Sequence, residues 1–562
     1  MTPQTEHRTL TRAARAGTAP WWEGAVIYHI YPRSFRDSDG DGVGDLAGLR
    51  AELPYLRWLG IDAIWLSPFY ASPAVDFGYD VADHSAVDPA MGSLADFDAI
   101  VAEAHRAGIR VLVDFVGSNT SVRHPWFVES RSSRESPRRD WYIWADPGPG
   151  GGPPNNWISV FGGPAWTWDP QTAQYYLHSF LPEIPDLNWR NPAVETAMLD
   201  VLRFWMDRGV DGFRIDAAEH LLKDPLLRDN PPAAPVNDGH PKNLGEYDRL
   251  RHLYDRGHAD IHPLYQRIRR LLDEHRPGAP HLAIAEIVPE PGVGLDHWAS
   301  FYGAALDEIH MPMNLTLPAL PWDAASFGQA LAQVEAAIPP GGGPTVALGS
   351  HDEPRVASRY GSAQARCLLA VLLTLRGTAV LYYGDELGLP DSPVRPGEER
   401  DPWGRRNPAF NRDLGRTPMP WSAAGQAAGF TTAAEPWLPL PEGAHRLSVA
   451  AQRADPGSTL LLTRALLALR RRSPALRQGT YRPLELGADL LCYERRWGSD
   501  TVVVVANFAA GPREIRAPGR GPWTLAARTG AATQLRGDAL SLGGYEAAVL
   551  RLSAGEAPRP DR

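Results

Sequence analysis

Short apolar runs alternate with longer amphipathic stretches through most of the chain. Residues 25–31, 61–66 and 109–115 are apolar enough to be buried strands. Residues 46–59 and 94–107 between them carry apolar positions at helical spacing. The alternation resumes after Asn191. A helix over 194–208 leads to a strand ending at Asp216, and a helix over 263–275 leads to one ending at Glu286. A short strand near 308–311, a strand ending at Gly349, an apolar helix over 363–375 and a strand over 379–383 complete the series. Strand–helix alternation predicts a parallel sheet with crossover helices, and eight such units predict a closed (β/α)8 TIM barrel. The barrel is expected over residues 21–116 and 186–470.

The pattern breaks twice. Residues 117–185 are rich in Gly, Pro and Trp, and a connection that long is seldom structureless unless it is functional. Beyond residue 470, β-branched runs such as Thr501-Val502-Val503-Val504-Val505 predict a C-terminal antiparallel β-sandwich over 471–556. Residues 1–20 have no apolar segment, so they are expected to be a disordered lead-in rather than a signal peptide or membrane span. Residues 554–562 are expected to fray.

Composition narrows the function. A chain of 562 residues is too long for one ordinary core. The net charge of −10 disfavours nucleic acid, whose phosphates need a basic face. Two cysteines, Cys367 and Cys492, sit in apolar contexts and read as buried thiols. A cytoplasmic location, no membrane partner, and a monomer or small homo-oligomer are the resulting expectations.

Three strands end in an acid: Asp216 after Gly212-Phe213-Arg214-Ile215, Glu286 after Leu282-Ala283-Ile284-Ala285, and Asp352 after Leu348-Gly349-Ser350-His351. The C-terminal ends of barrel strands are where catalytic groups stand. Three converging carboxylates suit cleavage of a glycosidic bond: one attacks, one donates a proton, and one stabilises the positive charge on the ring. Separately, Asp37, Asp39, Asp41 and Asp45 recur among Gly40, Gly42 and Gly44. Hard carboxylate oxygens on a tight glycine-rich turn suit Ca2+ or Mg2+ in a structural role. An EF-hand is excluded, because position 48 is Gly where that loop needs Glu.

These acids, with Asp37 to Asp45, Phe77-Gly78-Tyr79-Asp80, Pro185-Asp186-Leu187-Asn188-Trp189 and Arg416-Thr417-Pro418-Met419-Pro420-Trp421, resemble the signature regions of the α-amylase superfamily, glycoside hydrolase family 13. The likeness runs from Gly24 to about Arg551 and is strongest to exo-acting α-glucosidases and oligo-1,6-glucosidases. It implies that 117–185 form an inserted domain after strand 3, walling the substrate cleft. It implies Asp216 as nucleophile with Arg214 beside it, Glu286 as general acid/base, and Asp352 with His351 as ligands of the sugar hydroxyls. Retention of configuration would need Asp216 and Glu286 roughly 5–5.5 Å apart. The resemblance further implies that Asp80 and Arg416 clasp the 4-hydroxyl of a terminal glucose, that Tyr79 stacks under the ring, and that Ala217 leans the linkage towards α-1,4. It adds the Val43 carbonyl to the metal ligands.

One departure stands out. Where the family ends its first signature in Asn-His, this chain has Ser118-Asn119. That histidine serves the 6-hydroxyl of the reacting glucose, so Asn119 implies a looser grip at C6 or a sugar altered there. The expected substrate is a small oligosaccharide or α-glycoside. A transglycosylase or sugar isomerase on the same scaffold is the alternative. A non-catalytic interaction protein of the same family is disfavoured, because all three acids are present.

Overall fold

A computed structural model describes residues 19–233, 245–288, 294–518 and 521–552. Most of the expected lead-in and the whole frayed tail, residues 554–562, lie outside the described residues. Eight parallel strands close a barrel: β1 (Val26–Ile30), β2 (Ala63–Leu66), β3 (Arg110–Phe115), β4 (Gly212–Ile215), β5 (Leu282–Ile287), β6 (Met311–Asn314), β7 (Thr345–Ala347) and β8 (Thr378–Tyr382). Each strand pairs with its neighbours in sequence, and β1 closes the ring by pairing with both β2 and β8.

Side chains alternate between the two faces of each strand. Ile27, Trp65, Leu112, Ile284, Met313 and Val380 form one buried cluster, the filling of the barrel. Their neighbours Val26, Tyr28, Ile64, Val111 and Val113 belong to a second cluster that packs the outer helices. In β4 the outward positions are Phe213 and Ile215, so Gly212, Arg214 and Asp216 share the inner face. Gly212 has to be small, since a Cβ there would stand 2.6 Å from the Leu282 carbonyl oxygen. Asp114 in β3 lies in register with Arg214. Glu286 follows Ile284 on the inner face of β5. Period-two geometry thus aims four ionisable side chains at one end of the barrel axis.

Two elements differ from expectation. The stretch 46–59 is two helices, Leu46–Ala51 and Leu53–Leu59, because Pro54 brings no N–H to a continuous ladder. The sixth strand is Met311–Asn314, later than expected. Pro312 inside it argues against a central strand in any sequence reading, while Glu308 is occupied by His262 at 2.8 Å.

The segment after β3 holds a helix, Pro125–Ser132, and an antiparallel sheet of Trp144–Ala145, Gln174–Leu177 and Trp166–Asp169. Its exit runs beside its entry, with Asn119 bridging Asp186. A buried Lys223–Asp186 ion pair at 2.6 Å ties that exit to the segment after β4. The stretch following β8 is built mostly of short turns and 3-10 helices and carries Asp401, Arg412 and Arg416 back over the barrel rim. At the C-terminus a five-stranded and a three-stranded antiparallel sheet enclose Val503, Val505, Leu540, Leu542 and Leu550. Among the described residues no helix is long and apolar enough to cross a membrane.

Candidate active site

Arg214 is the hub. It is buried on the inner face of β4, over the Trp65 ring at 5.2 Å. One terminal nitrogen donates to Asp216 at 2.5 Å and to Asp114 at 3.2 Å, and the other donates to Glu286 at 2.5 Å. A planar fork of donors fixes both carboxylates at once. Burial pushes the Asp216 carboxyl well above the usual carboxylate range; Arg214 opposes this, while Glu286, Asp114 and Asp352 reinforce it. Asp114, which also accepts from Trp65 at 3.1 Å and Tyr79 at 3.0 Å, is pushed by burial up to about 6. Asp114 opens the signature-like stretch that ends in Ser118-Asn119, but nothing in the sequence marks it as a partner of Arg214.

The third acid comes from the loop after β7. Asp352 accepts from Arg416 at 2.9 Å and Arg412 at 3.2 Å. Ser350 Oγ accepts from the Asp352 amide at 3.2 Å, fixing the turn. His351 Nε2 stands 2.8 Å from the Tyr79 hydroxyl and 3.3 Å from Asp352. Burial lowers the His351 imidazole well below its usual value, so the ring is neutral. Tyr79 lies parallel to that imidazole at 5.5 Å. Arg355 locks the loop from behind through the Tyr383 carbonyl oxygen at 2.8 Å.

Asp216 is followed by a strained residue. Ala217 has φ 42 and ψ 47, a left-handed conformation that a non-glycine residue seldom adopts. It turns the chain sharply away after the acid, leaving the carboxylate at the rim. Such strain concentrates at functional sites.

The expected partnership of Asp80 with Arg416 is not what the structure brings together. Asp80 is fully buried and accepts from Ser72 Oγ at 2.7 Å and from the Val75 and Asp76 amides at 2.9 and 3.1 Å. It holds its own loop. Arg416 turns to the His351 carbonyl oxygen at 2.8 Å as well as to Asp352. The residues that meet at this end of the site are Asp76 and Arg412, 2.6 Å apart, and the same Arg412 nitrogen also donates to Asp401 at 2.7 Å. Sequence reading passed over both, although Asp76 directly precedes the Phe77 motif and Arg412 stands four residues before Arg416.

Asn119 also faces inward. Its amide donates to the Tyr79 carbonyl oxygen at 3.1 Å, and its oxygen accepts from Ser118 Oγ at 2.7 Å. Asn119 is thus tied both to Ser118 and to the backbone at Tyr79.

The acidic loop lies between β1 and the helix Leu46–Ala51. One carboxylate oxygen each from Asp37, Asp39 and Asp45 lie within 4.8 Å of one another. Asp41 is outside this group and accepts from the Val43 amide at 2.7 Å. Three oxygens from acids so closely spaced make a donor set that a hard divalent cation fits. Asp45 at the same time caps the helix, accepting from the Gly48 amide at 2.7 Å.

The family model described as "Alpha amylase, catalytic domain" matches residues 29–479. A probable α-glucosidase of Rhizobium meliloti (strain 1021) is 43% identical over 507 residues, covering 87% of this chain and 89% of that protein. An oligo-1,6-glucosidase of Parageobacillus thermoglucosidasius is 34% identical, with 89% and 92% covered. Among solved structures, an α-glucosyl transfer enzyme superposes with a TM-score of 0.89 at 42% identity, over 95% of this chain and all of that one. A trehalulose synthase of Pseudomonas mesoacidophila MX-45 superposes with a TM-score of 0.85 at 33% identity, over 96% of this chain and all of that one. Fold, matched segment and relatives agree: this chain belongs to the α-amylase superfamily, glycoside hydrolase family 13, and is a glycoside hydrolase.

Proposed function

We propose that the protein is a retaining, exo-acting α-glucosidase. The observation that carries this reading is the single buried guanidinium of Arg214 holding Asp216 and Glu286, each at 2.5 Å, at the barrel rim. Two carboxylates on one fork are close enough to act on the two sides of one bond. Asp216 attacks the anomeric carbon while Glu286 gives its proton to the departing oxygen. Glu286 then takes a proton from water, which releases the sugar from Asp216 with its original configuration. Asp352, gripped by Arg412 and Arg416, faces the ring hydroxyls. The Asp76–Arg412–Asp352 chain blocks one end of the site, which favours a terminal sugar over an internal one.

With Asn119 tied to Ser118 and to the backbone at Tyr79, the C6 end is left without a dedicated histidine donor. A sugar altered at C6 is therefore a candidate beside glucose. Asp37, Asp39 and Asp45 would hold Ca2+ or Mg2+, which would stiffen the loop they share; the bond-breaking groups above work without passing through it.

A panel of aryl α-glycosides tests the reading: glucoside, xyloside and 6-deoxyglucoside, with NMR of the first-formed anomer. Release of the α-anomer supports retention, and release of the β-anomer sinks it. A strong preference for the glucoside over both analogues removes the altered-sugar idea. The likeness to a transfer enzyme and a trehalulose synthase favours sugar transfer as a second reading. Sucrose or maltose converted to isomers or longer products, in place of free glucose, would establish it.

A further inference from the structure

Glu219 stands three residues beyond Asp216 and has no part in the chemistry above. It is buried, 4% exposed, in the 3-10 turn Ala218–His220. One carboxylate oxygen accepts from the Val288 amide at 3.0 Å, and Nε2 of His297 stands 2.6 Å from the other. Val288 follows Glu286 by two residues. One side chain thus runs from the loop that carries the nucleophile to the end of the strand that carries the proton donor.

Parallel pairing explains why a side chain is needed there. Leu282 to Ala285 of β5 keep step with Gly212 to Ile215 of β4, and the Leu282 amide donates to the Asp211 carbonyl oxygen at 3.0 Å. Alternate amides of a strand point towards the same neighbour. The Val288 amide is on the same phase as that of Leu282, and the carbonyl oxygen due to it in the same step is that of Ala217. Ala217, however, has turned left-handed at φ 42, and its carbonyl oxygen accepts from the His220 amide at 2.8 Å instead. The Glu219 carboxylate takes the vacated place in the ladder.

The turn that carries Glu219 is held from behind. The Tyr265 hydroxyl, from the helix Ile261–Glu274, donates to the Ala218 carbonyl oxygen at 2.6 Å. The Gly257 amide donates to the Glu219 carbonyl oxygen at 2.8 Å, and Arg256 lies 3.8 Å from the carboxylate. On its other side β5 pairs with β6 as far as Asn314. On the β4 side the hold at Val288 is that of Glu219.

We propose that Glu219 is a positioning residue, which fixes the end of β5 and keeps Glu286 in register with Asp216. The inference rests on the acid role given to Glu286 above, and it adds what keeps that acid on the leaving oxygen. Asp216 has a hold of its own, its amide donating to the Phe115 carbonyl oxygen at 3.0 Å. Loss of Glu219 therefore displaces the proton donor more than the attacking group.

Phenyl and 4-nitrophenyl glycosides test this, because the first leaving group needs a proton and the second needs little. The quantity to compare is kcat/KM, which reports the bond-breaking step. Glu219→Ala should lose about 30-fold on the phenyl compound and about threefold on the 4-nitrophenyl one, part of the roughly 10²–10⁴-fold that a general acid supplies. Glu219→Gln should bring both back near wild type, since its amide oxygen can still accept from Val288. Glu219→Asp, one methylene shorter, should show the same selective loss as alanine, and it keeps the charge should the alanine variant fail to fold. Glu286→Gln, run alongside, should show the widest gap between the two substrates. Equal losses on both substrates in the alanine and aspartate variants, as general loosening of the fold would give, would overturn the proposal. So would a glutamine variant no better than alanine. Equal losses in Glu286→Gln would remove the acid role itself, and this proposal with it. The panel uses whichever of the aryl α-glucosides and α-xylosides the wild type cleaves faster. A preference for xylosides would remove the glucosidase reading, while the Glu219 comparison is read on them unchanged.

Discussion

Two acid-rich regions of this molecule solve the same problem in opposite ways. At the rim, Asp216, Glu286, Asp114 and Asp352 lean on the side chains of Arg214, Arg412 and Arg416. In the 37–45 loop, Asp37 leans on the Asp39, Gly40 and Gly42 amides and on Thr431. Burial works against the Asp37 charge, but those donors outweigh it and hold its carboxyl below the usual range. Asp216 moves the other way, because its burial and its like-charged neighbours outweigh one shared guanidinium. An acid held by backbone amides is spent on structure. An acid that shares a cation with other acids keeps unspent charge facing the cleft, and that is the condition for chemistry.

The largest effect expected from this contrast is at Asp216. Asp216→Asn should cost several orders of magnitude in kcat, as loss of a covalent nucleophile does. Melting should not fall. A carboxyl whose folded value is raised costs stability once it ionises, above its unfolded value and fully above its folded one. A neutral isostere removes that cost near neutral pH. Turnover near wild type would reject Asp216 as the attacking group, and a large drop in melting temperature would reject the crowding.

Glu286→Gln should cost on the order of 10²–10⁴ in rate on disaccharides, the range of a lost general acid. Activated aryl glycosides should lose less in the glycosylation step, because their leaving groups need little protonation. Equal loss of the glycosylation step on both kinds of substrate would argue against an acid role for Glu286.

The next contrast is smaller and lies within one loop. Asp76→Ala should raise KM about 10- to 100-fold for terminal glucosides, the loss of a hydrogen-bonded charge at the ring. Asp80→Ala should instead lower the melting temperature, since it strips acceptors from Ser72 and from the Val75 and Asp76 amides. A KM effect at Asp80 without loss of stability would restore the pairing expected from sequence.

The choice between Asp76 and Asp80 marks where sequence reading stops. The barrel was legible because strand and helix periodicities alternate, and Asp216 and Glu286 were legible because each ends an apolar run. Asp352 stands in a loop where a motif, not a period, points to it. Asp76, Asp114, Arg412 and Asp401 were not legible as a group, because contacts such as Arg412 to Asp76 span 336 positions of chain. Spacing cannot tell which of two nearby acids meets the distant arginine; Asp80 turns back onto Ser72 and the Val75 and Asp76 amides, while Asp76 meets Arg412. The sixth strand lies later than expected, and Pro312 inside it shows the closed barrel overriding a local signal against a central strand.

The smallest effect belongs to the acidic loop. If Asp37, Asp39 and Asp45 hold a divalent cation, Ca2+ should raise the melting temperature by about 2–3 °C and a chelator should lower it, since a ligand bound only to the folded state stabilises by mass action. Asp39 is exposed and accepts from the Asp41 amide at 3.1 Å. Asp39→Asn should therefore abolish the response to Ca2+ while leaving the chelated protein almost as stable as before. Asp37→Asn should lower melting even in chelator, because a neutral amide serves the Gly40, Gly42 and Thr431 donors less well. Differential scanning calorimetry of the three proteins, with Ca2+ and with chelator, reads both outcomes without recourse to activity. A full Ca2+ response in Asp39→Asn would move the cation away from this cluster. An unchanged chelated melting temperature in Asp37→Asn would mean that the loop's amides do not need that carboxylate, and the division between structural and chemical acids would lose its clearest structural case.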